Sequence, residues 1–253
     1  MLSLLALALA PSIALSVFFY IRNRYKKAPL WQLAVTFLLG AVVLIPSAVT
    51  SMLLQNLTGW TSRTQNLFHS FLGALFIVGM VEEGWKFIVV RFYAYNQPEF
   101  VEPYDGILYA VMAALGFATV ENILYVLTAG LDTGLLRALL AVPGHAFYGV
   151  LMGYFIGEAR FAATNTRSDL LSLAGLASAV LAHGVYDFMV FSLQRTPLML
   201  LVLPVFVLLT WVIFFKATRK QAEKSQYKRP QLASLLRRDV TEAEEEEKKS
   251  PPG

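Results

Sequence analysis

The chain contains no cysteine, which excludes disulfide staples, thiolate nucleophiles and thiolate-held zinc, and leaves the redox compartment unreadable. Charge is scarce as well. Asp, Glu, Lys and Arg make up 15% of the residues, against about a quarter of an ordinary globular chain. Histidine occurs three times, so each imidazole has to be placed. Apolar side chains fill the gap, at 57% of the 253 residues. That balance excludes an ordinary soluble domain and fits one polytopic membrane domain with a polar tail. The net charge of +4 is no nucleic-acid signature, because the basic residues gather at the ends of apolar segments.

Seven apolar segments are long enough for a hydrocarbon core, which needs about 20 helical residues. They run near 2–21, 30–54, 67–95, 106–129, 136–157, 170–193 and 198–216. The predicted fold is therefore all-α, a bundle of about seven transmembrane helices. The first segment lacks a basic leader and is followed by Arg22-Asn23-Arg24-Tyr25-Lys26-Lys27, the order of a retained helix rather than a cleaved signal. With Met1 outside, the inside segments hold 17 of the 21 Lys and Arg. The positive-inside rule then puts the N-terminus out and the C-terminus in the cytoplasm. No transporter-like repeat recurs in matched halves. Residues 1–216 form the membrane domain, with a motif-bearing core at 67–194. Residues 217–253, which include EAEEEEKK, read as a polar, disordered cytoplasmic tail.

Charged groups at bilayer depth are costly and mark functional sites by default. Glu82-Glu83-Gly84-Trp85-Lys86 lies between FLGALFIVGMV and FIVVRFYAY. Lys86 is i+4 from Glu82 and i+3 from Glu83, so either carboxylate can pair with it on one helix. The two glutamates point about 100° apart. One is expected to form a structural ion pair with Lys86 and the other to face a cavity as a general base; the spacing leaves open which does which. The bland alternative is an ion pair that only fixes packing.

Glu121 has no cation at i±3 or i±4 and needs a partner from another helix, a metal or its own proton. His145 follows Pro143-Gly144, and after it Gly149, Gly153 and Gly157 form a small-residue ridge for close helix approach. His183 and Asp187 are i,i+4, a spacing at which a carboxylate orients an imidazole. Counting at about 1.5 Å per residue from the predicted ends puts Glu82, Glu121, His145 and His183 at one level, between the midplane and the outer face. His69 falls at the outer mouth of its helix and reads as a surface residue.

Taken together, Glu82-Glu83-x-x-Lys86, Phe117-x-x-x-Glu121-Asn122, His145 and His183-x-x-x-Asp187 resemble the PrsW family of intramembrane proteases. That family is related to the CAAX prenyl endopeptidases and the abortive-infection membrane proteins. Tyr104-Asp105-Gly106 also matches the family's entry to this region. The chain departs from the wider CAAX-type pattern at Lys86, where that pattern has an arginine one residue later, at Glu121, where it has histidine, and at Asp187, where it has asparagine. The resemblance implies hydrolysis of a peptide bond in a membrane-anchored protein, such as site-1 cleavage of an anti-sigma factor, in a bacterial cytoplasmic membrane. It implies a catalytic set of Glu82, Glu83, Glu121, His145, His183 and Asp187. Glu82 or Glu83, helped by Glu121, would take a proton from water, and His183, oriented by Asp187, would stabilise the oxyanion. Glu82, Glu121, His145 and His183 would also suit a divalent metal such as zinc. An ion- or proton-coupled transporter with a carboxylate–histidine relay is the competing reading, and a non-catalytic scaffold the third.

Overall fold

The computed structural model describes residues 2–64 and 66–228. Nine α-helices are found among them, with no strand: α1 (Leu2–Arg22), α2 (Leu30–Val42), α3 (Leu44–Thr58), α4 (Leu67–Gly73), α5 (Met80–Ile88), α6 (Pro103–Leu136), α7 (Val142–Arg160), α8 (Asn165–Ser192) and α9 (Met199–Glu223). The all-α, membrane-embedded architecture agrees with the sequence. Five helical stretches among the described residues are long and apolar enough to cross a membrane: Leu5–Arg22, Leu30–Thr58, Pro103–Arg160, Asn165–Ser192 and Met199–Glu223. The expected segment at 67–95 is not one of them. It carries Glu82, Glu83, Lys86 and Arg91, and π-helical turns at Ala74–Gly79 and Val89–Tyr93 cut it into short pieces.

The fourth and fifth expected segments form one antiparallel hairpin. Gly130 breaks the helical path at φ +82°, a left-handed conformation that glycine adopts without a Cβ clash. The ridge on α7 then packs directly on α6. A Cβ on Gly153 would lie 2.3 Å from the Gly106 carbonyl oxygen, and one on Gly157 2.2 Å from that of Pro103. Backbones this close need glycine, which explains the four-residue spacing. α6 is the central element, buried on all sides from Tyr104 to Thr119, and helices apolar all round belong inside a bundle. Its start is capped by the Asp105 carboxylate, which accepts from the backbone N–H groups of Val101 at 2.8 Å and Glu102 at 2.9 Å.

The outer surface is apolar. Leu57, Leu139 and Leu201 are each at least 70% exposed, as lipid-facing side chains should be. α9 does not end at Lys216 but continues to Glu223, because its last turns still find partners: buried Gln221 donates to the Tyr154 carbonyl at 2.7 Å. The rest of the expected tail, from 229 to 253, lies outside the described residues.

Candidate active site

α5 carries Glu82, Glu83 and Lys86, and its placement depends on the π-helical turn before it. Such turns leave a carbonyl free for an outside donor and recur at functional sites. Here Ser51 of α3 donates to the Ile77 carbonyl at 3.0 Å, and Trp85 of α5 donates to Thr50 at 3.3 Å. On the other side Gly79 meets α8, where an added Cβ would lie 3.1 Å from the Val180 carbonyl. Gly184 lies against Leu75 in the same contact. The close α8 packing sets His183 beside Glu83.

Lys86 is the hub. Its ammonium lies 2.8 Å from Glu83 Oε1, 3.5 Å from Glu82 Oε2 and 3.0 Å from His145 Nδ1. It also stands 4.1 Å from the centre of the Phe117 ring, a cation–π contact worth more when desolvated. The two glutamates are placed differently. Glu83 is completely buried, with Oε1 accepting from both Lys86 and His183 Nδ1, the latter at 2.8 Å. Glu82 keeps 14% exposure and faces a cleft. Glu83 is thus the structural ion pair and Glu82 the open carboxylate.

The hydrogen bonds also fix the imidazoles. An ammonium can only donate, so His145 accepts at Nδ1 and donates from Nε2 to Glu121 Oε2 at 2.9 Å. His183 gives its Nδ1–H to Glu83, leaving Nε2 turned toward Asp187 Oδ2 at 3.4 Å and Glu82 Oε2 at 3.9 Å. Tyr148 stacks on His183, ring centres 4.6 Å apart. A cleft of about 330 Å³ opens in front of these groups, lined by Glu82, Glu121, His183 and Asp187 together with Phe117, Tyr125, Trp60 and Phe191.

The six residues singled out in the sequence therefore come together. Glu82, Glu121, His183 and Asp187 line the cleft, while Glu83 and His145 stand behind it, each 4% exposed or less. His69 is exposed at the start of α4, with its backbone N–H capped by Asn66. Arg137 was missed. It bonds Glu121 Oε2 at 2.6 Å and lies 4.0 Å from the centre of the Tyr125 ring. The break at Gly130 permits that contact across sixteen residues, which no helical spacing would reveal. Tyr148 was findable, as it lies one helical turn from His145.

Charge balance bears on metal binding. Four carboxylates, Glu82, Glu83, Glu121 and Asp187, face two permanent cations, Lys86 and Arg137. A buried cluster with two excess negative charges needs two protons or one divalent cation. One donor atom each from Glu82, His145 and His183 lie within 4.8 Å of one another. Two imidazoles and a carboxylate are a known set for catalytic zinc, and Glu83 on the far nitrogen of His183 supplies the usual outer support. The residues would fit such an ion once His145 gives up Lys86 or Glu121, because both of its ring nitrogens are engaged here. Glu121, expected as a fourth ligand, is not in this group; Arg137 and His145 hold its carboxylate.

A family model described as PrsW family intramembrane metalloprotease matches residues 28–215. The chain belongs to the PrsW family of intramembrane proteases. Among PrsW relatives, Protease PrsW of Geobacillus kaustophilus is 36% identical over 91% of this chain and 96% of its own. Protease PrsW of Oceanobacillus iheyensis is 34% identical over 89% of this chain and 99% of its own. The Bacillus subtilis protein of the same name is 35% identical over 88% and 97%. No solved structure matches the chain. As a PrsW-family member the chain is a membrane-embedded protease acting on a protein substrate, and the relatives lend no support to a transporter.

Proposed function

We propose that this protease hydrolyses a peptide bond of a membrane-anchored protein in the outer half of the bilayer, with Glu82 and His183 as the central pair. The observation that carries it is the division between the glutamates: Glu83 is locked behind by Lys86 and His183, and Glu82 faces the cleft across from His183 Nε2. A water between them would give its proton to Glu82 as it attacks the scissile carbonyl. General-base help of this kind contributes about 10²- to 10⁴-fold. His183, as an imidazolium with its Nδ1–H on Glu83 and its Nε2–H beside Asp187, stabilises the oxyanion and passes the Nε2 proton to the leaving amine. Glu121, fixed by Arg137 and His145, supports the same cleft from α6.

Bound by Glu82, His145 and His183, a divalent ion such as zinc would polarise the carbonyl and acidify the water. The family description favours that second reading, and it balances the charge of the cluster. The hairpin at Gly130, whose two legs each exceed the span length, raises the five apolar stretches to six crossings, and the interrupted segment at 67–95 would be the seventh; the Lys/Arg asymmetry supports the N-terminus out. In a bacterial cytoplasmic membrane, the substrate class suggested by the family resemblance is an anti-sigma factor.

The test is cleavage of single-pass substrates by purified protein in detergent, with and without chelator, alongside metal analysis. Cleavage lost on chelation and restored by zinc assigns the metal reading. Cleavage indifferent to chelator in metal-free protein assigns the two-proton chemistry of Glu82 and His183. No cleavage of any outer-half peptide bond contradicts the proposed position of the cut.

A further inference from the structure

We propose that a cavity between the C-terminal ends of α1 and α9 binds the phosphate of an anionic phospholipid headgroup. The cavity measures about 370 Å³ and shares no lining residue with the cleft. That volume is in the usual range of small-molecule sites, roughly 300–1,000 Å³. Its walls carry Arg22, Arg24, Arg219 and Lys228, against the single carboxylate of Glu223. Glu223 is already paired with Arg219 at 2.8 Å. Arg22, Arg24 and Lys228 form no ion pair with a described residue. The floor is closed by Tyr104 and Thr218, each 1% exposed. The result is a recess with excess positive charge, in which Arg22 and Lys228 are half-buried and Arg24 and Arg219 form the exposed rim.

Lipid is the phosphate source that fits its position. α1 and α9 are both apolar enough to cross a membrane, and the cavity lies where each ends. Below it the same helices expose Val17, Ile21, Val212 and Phe215, each at least 43% accessible. Acyl chains would lie on these residues while the phosphate sat among the arginines. The Arg22 guanidinium stands 5.2 Å from the Phe18 ring centre and 5.7 Å from that of Phe215, which sets it at the boundary between apolar wall and basic rim. Basic recesses between transmembrane helices recognise anionic headgroups by this arrangement.

The chain also fixes Lys228 in place. Past α9, Ser225 bonds the buried Glu102 carboxylate, Lys224 pairs with Glu158, and Gln226 donates to the Val101 carbonyl at 3.0 Å. These three anchors tie the segment that carries Lys228 to the start of α6 and the end of α7. A phospholipid in the cavity would therefore bridge α1, α9 and this returning segment.

The test uses full-length protein purified free of lipid and titrated with phosphatidylglycerol or phosphatidylcholine, with bound lipid counted by native mass spectrometry. Wild type should retain phosphatidylglycerol preferentially. Arg24→Gln, Arg219→Gln and Lys228→Gln should weaken it by about fivefold per charge removed, the size expected of one basic residue beside an anionic surface. Arg24→Lys and Arg219→Lys should restore binding, and millimolar inorganic phosphate should not displace the lipid. Substrate cleavage by the variants checks that they fold. If the triple variant does not, Lys228→Gln alone should still show the fivefold loss. Equal retention of phosphatidylglycerol by the variants would overturn the proposal, as would wild type showing no preference over phosphatidylcholine. Displacement by inorganic phosphate would assign the recess to a soluble anion and overturn the lipid.

Discussion

Glu83 Oε1 and His183 Nδ1 lie 2.8 Å apart, although a hundred residues separate them in the chain. That bond makes the imidazole present Nε2 to the cleft, and it makes Glu83 unavailable to a substrate. With Lys86 on the same oxygen, it sets the two adjacent glutamates to different work.

Glu83→Gln should accordingly act on stability. An amide leaves the Lys86 ammonium without its closest counter-charge in a fully buried position, and breaking a buried pair costs about 3–5 kcal/mol. The expected outcome is low yield and a lowered thermal midpoint in detergent. A normal midpoint would show that Glu82 alone suffices to hold Lys86.

Arg137 should matter for turnover, although it lies far from Glu121 in sequence. Arg137→Ala would release the Glu121 carboxylate from its 2.6 Å partner and leave the cleft with one more uncompensated negative charge. Cleavage should fall by about tenfold or more, as expected for loss of a charge-assisted hydrogen bond of about 1.5–3 kcal/mol. Arg137→Lys should recover part of it. An unchanged kcat in Arg137→Ala would remove Arg137 from the site.

His183→Ala removes the imidazole that faces the cleft. Turnover should drop about 10²- to 10³-fold, the usual cost of one oxyanion donor, while substrate still co-purifies with the protein. Metal content read on the same sample separates the two chemistries, since an ion held by Glu82, His145 and His183 would be lost with the imidazole.

The packing of the hairpin is equally open to test. Gly153→Ala would place a Cβ 2.3 Å from a backbone oxygen of α6, and backbone yields less easily than a side chain tip. Overpacking typically costs about 1–3 kcal/mol, so the thermal midpoint should fall. Gly84→Ala is the control, because nothing lies within 4 Å of the added atom.

Much of the site was legible because its residues violate their surroundings. Glu82, Glu83, Lys86, Glu121, His145 and His183 stand out as charge or imidazole in apolar runs, and the i,i+4 spacing of His183 and Asp187 survives in the 3.4 Å contact. The ridge Gly149, Gly153 and Gly157 announced close packing, which α6 supplies. What was hidden depends on backbone irregularity. The π-helical turn at Ala74–Gly79 shifts the register into α5, so regular helical spacing in the sequence does not say which glutamate meets the cleft. The break at Gly130 returns Arg137 to Glu121, a contact that no helical spacing predicts. The end of α9 was misplaced because Gln221 and Ser225 look like tail residues until Tyr154 and Glu102 are set beside them.

The role of Glu82 is tested by cleavage of a single-pass membrane substrate by purified Glu82→Gln protein, compared with wild type at matched folded concentration. The substitution keeps the shape of a side chain that is 14% exposed on the cleft and removes its capacity to take a proton or hold a cation. A folded protein with wild-type yield is expected, its cleavage lower by at least about 10²-fold, the lower end for loss of a general base. Wild-type cleavage by Glu82→Gln would contradict that role, and would mean that the open carboxylate of this cleft takes no part in the reaction.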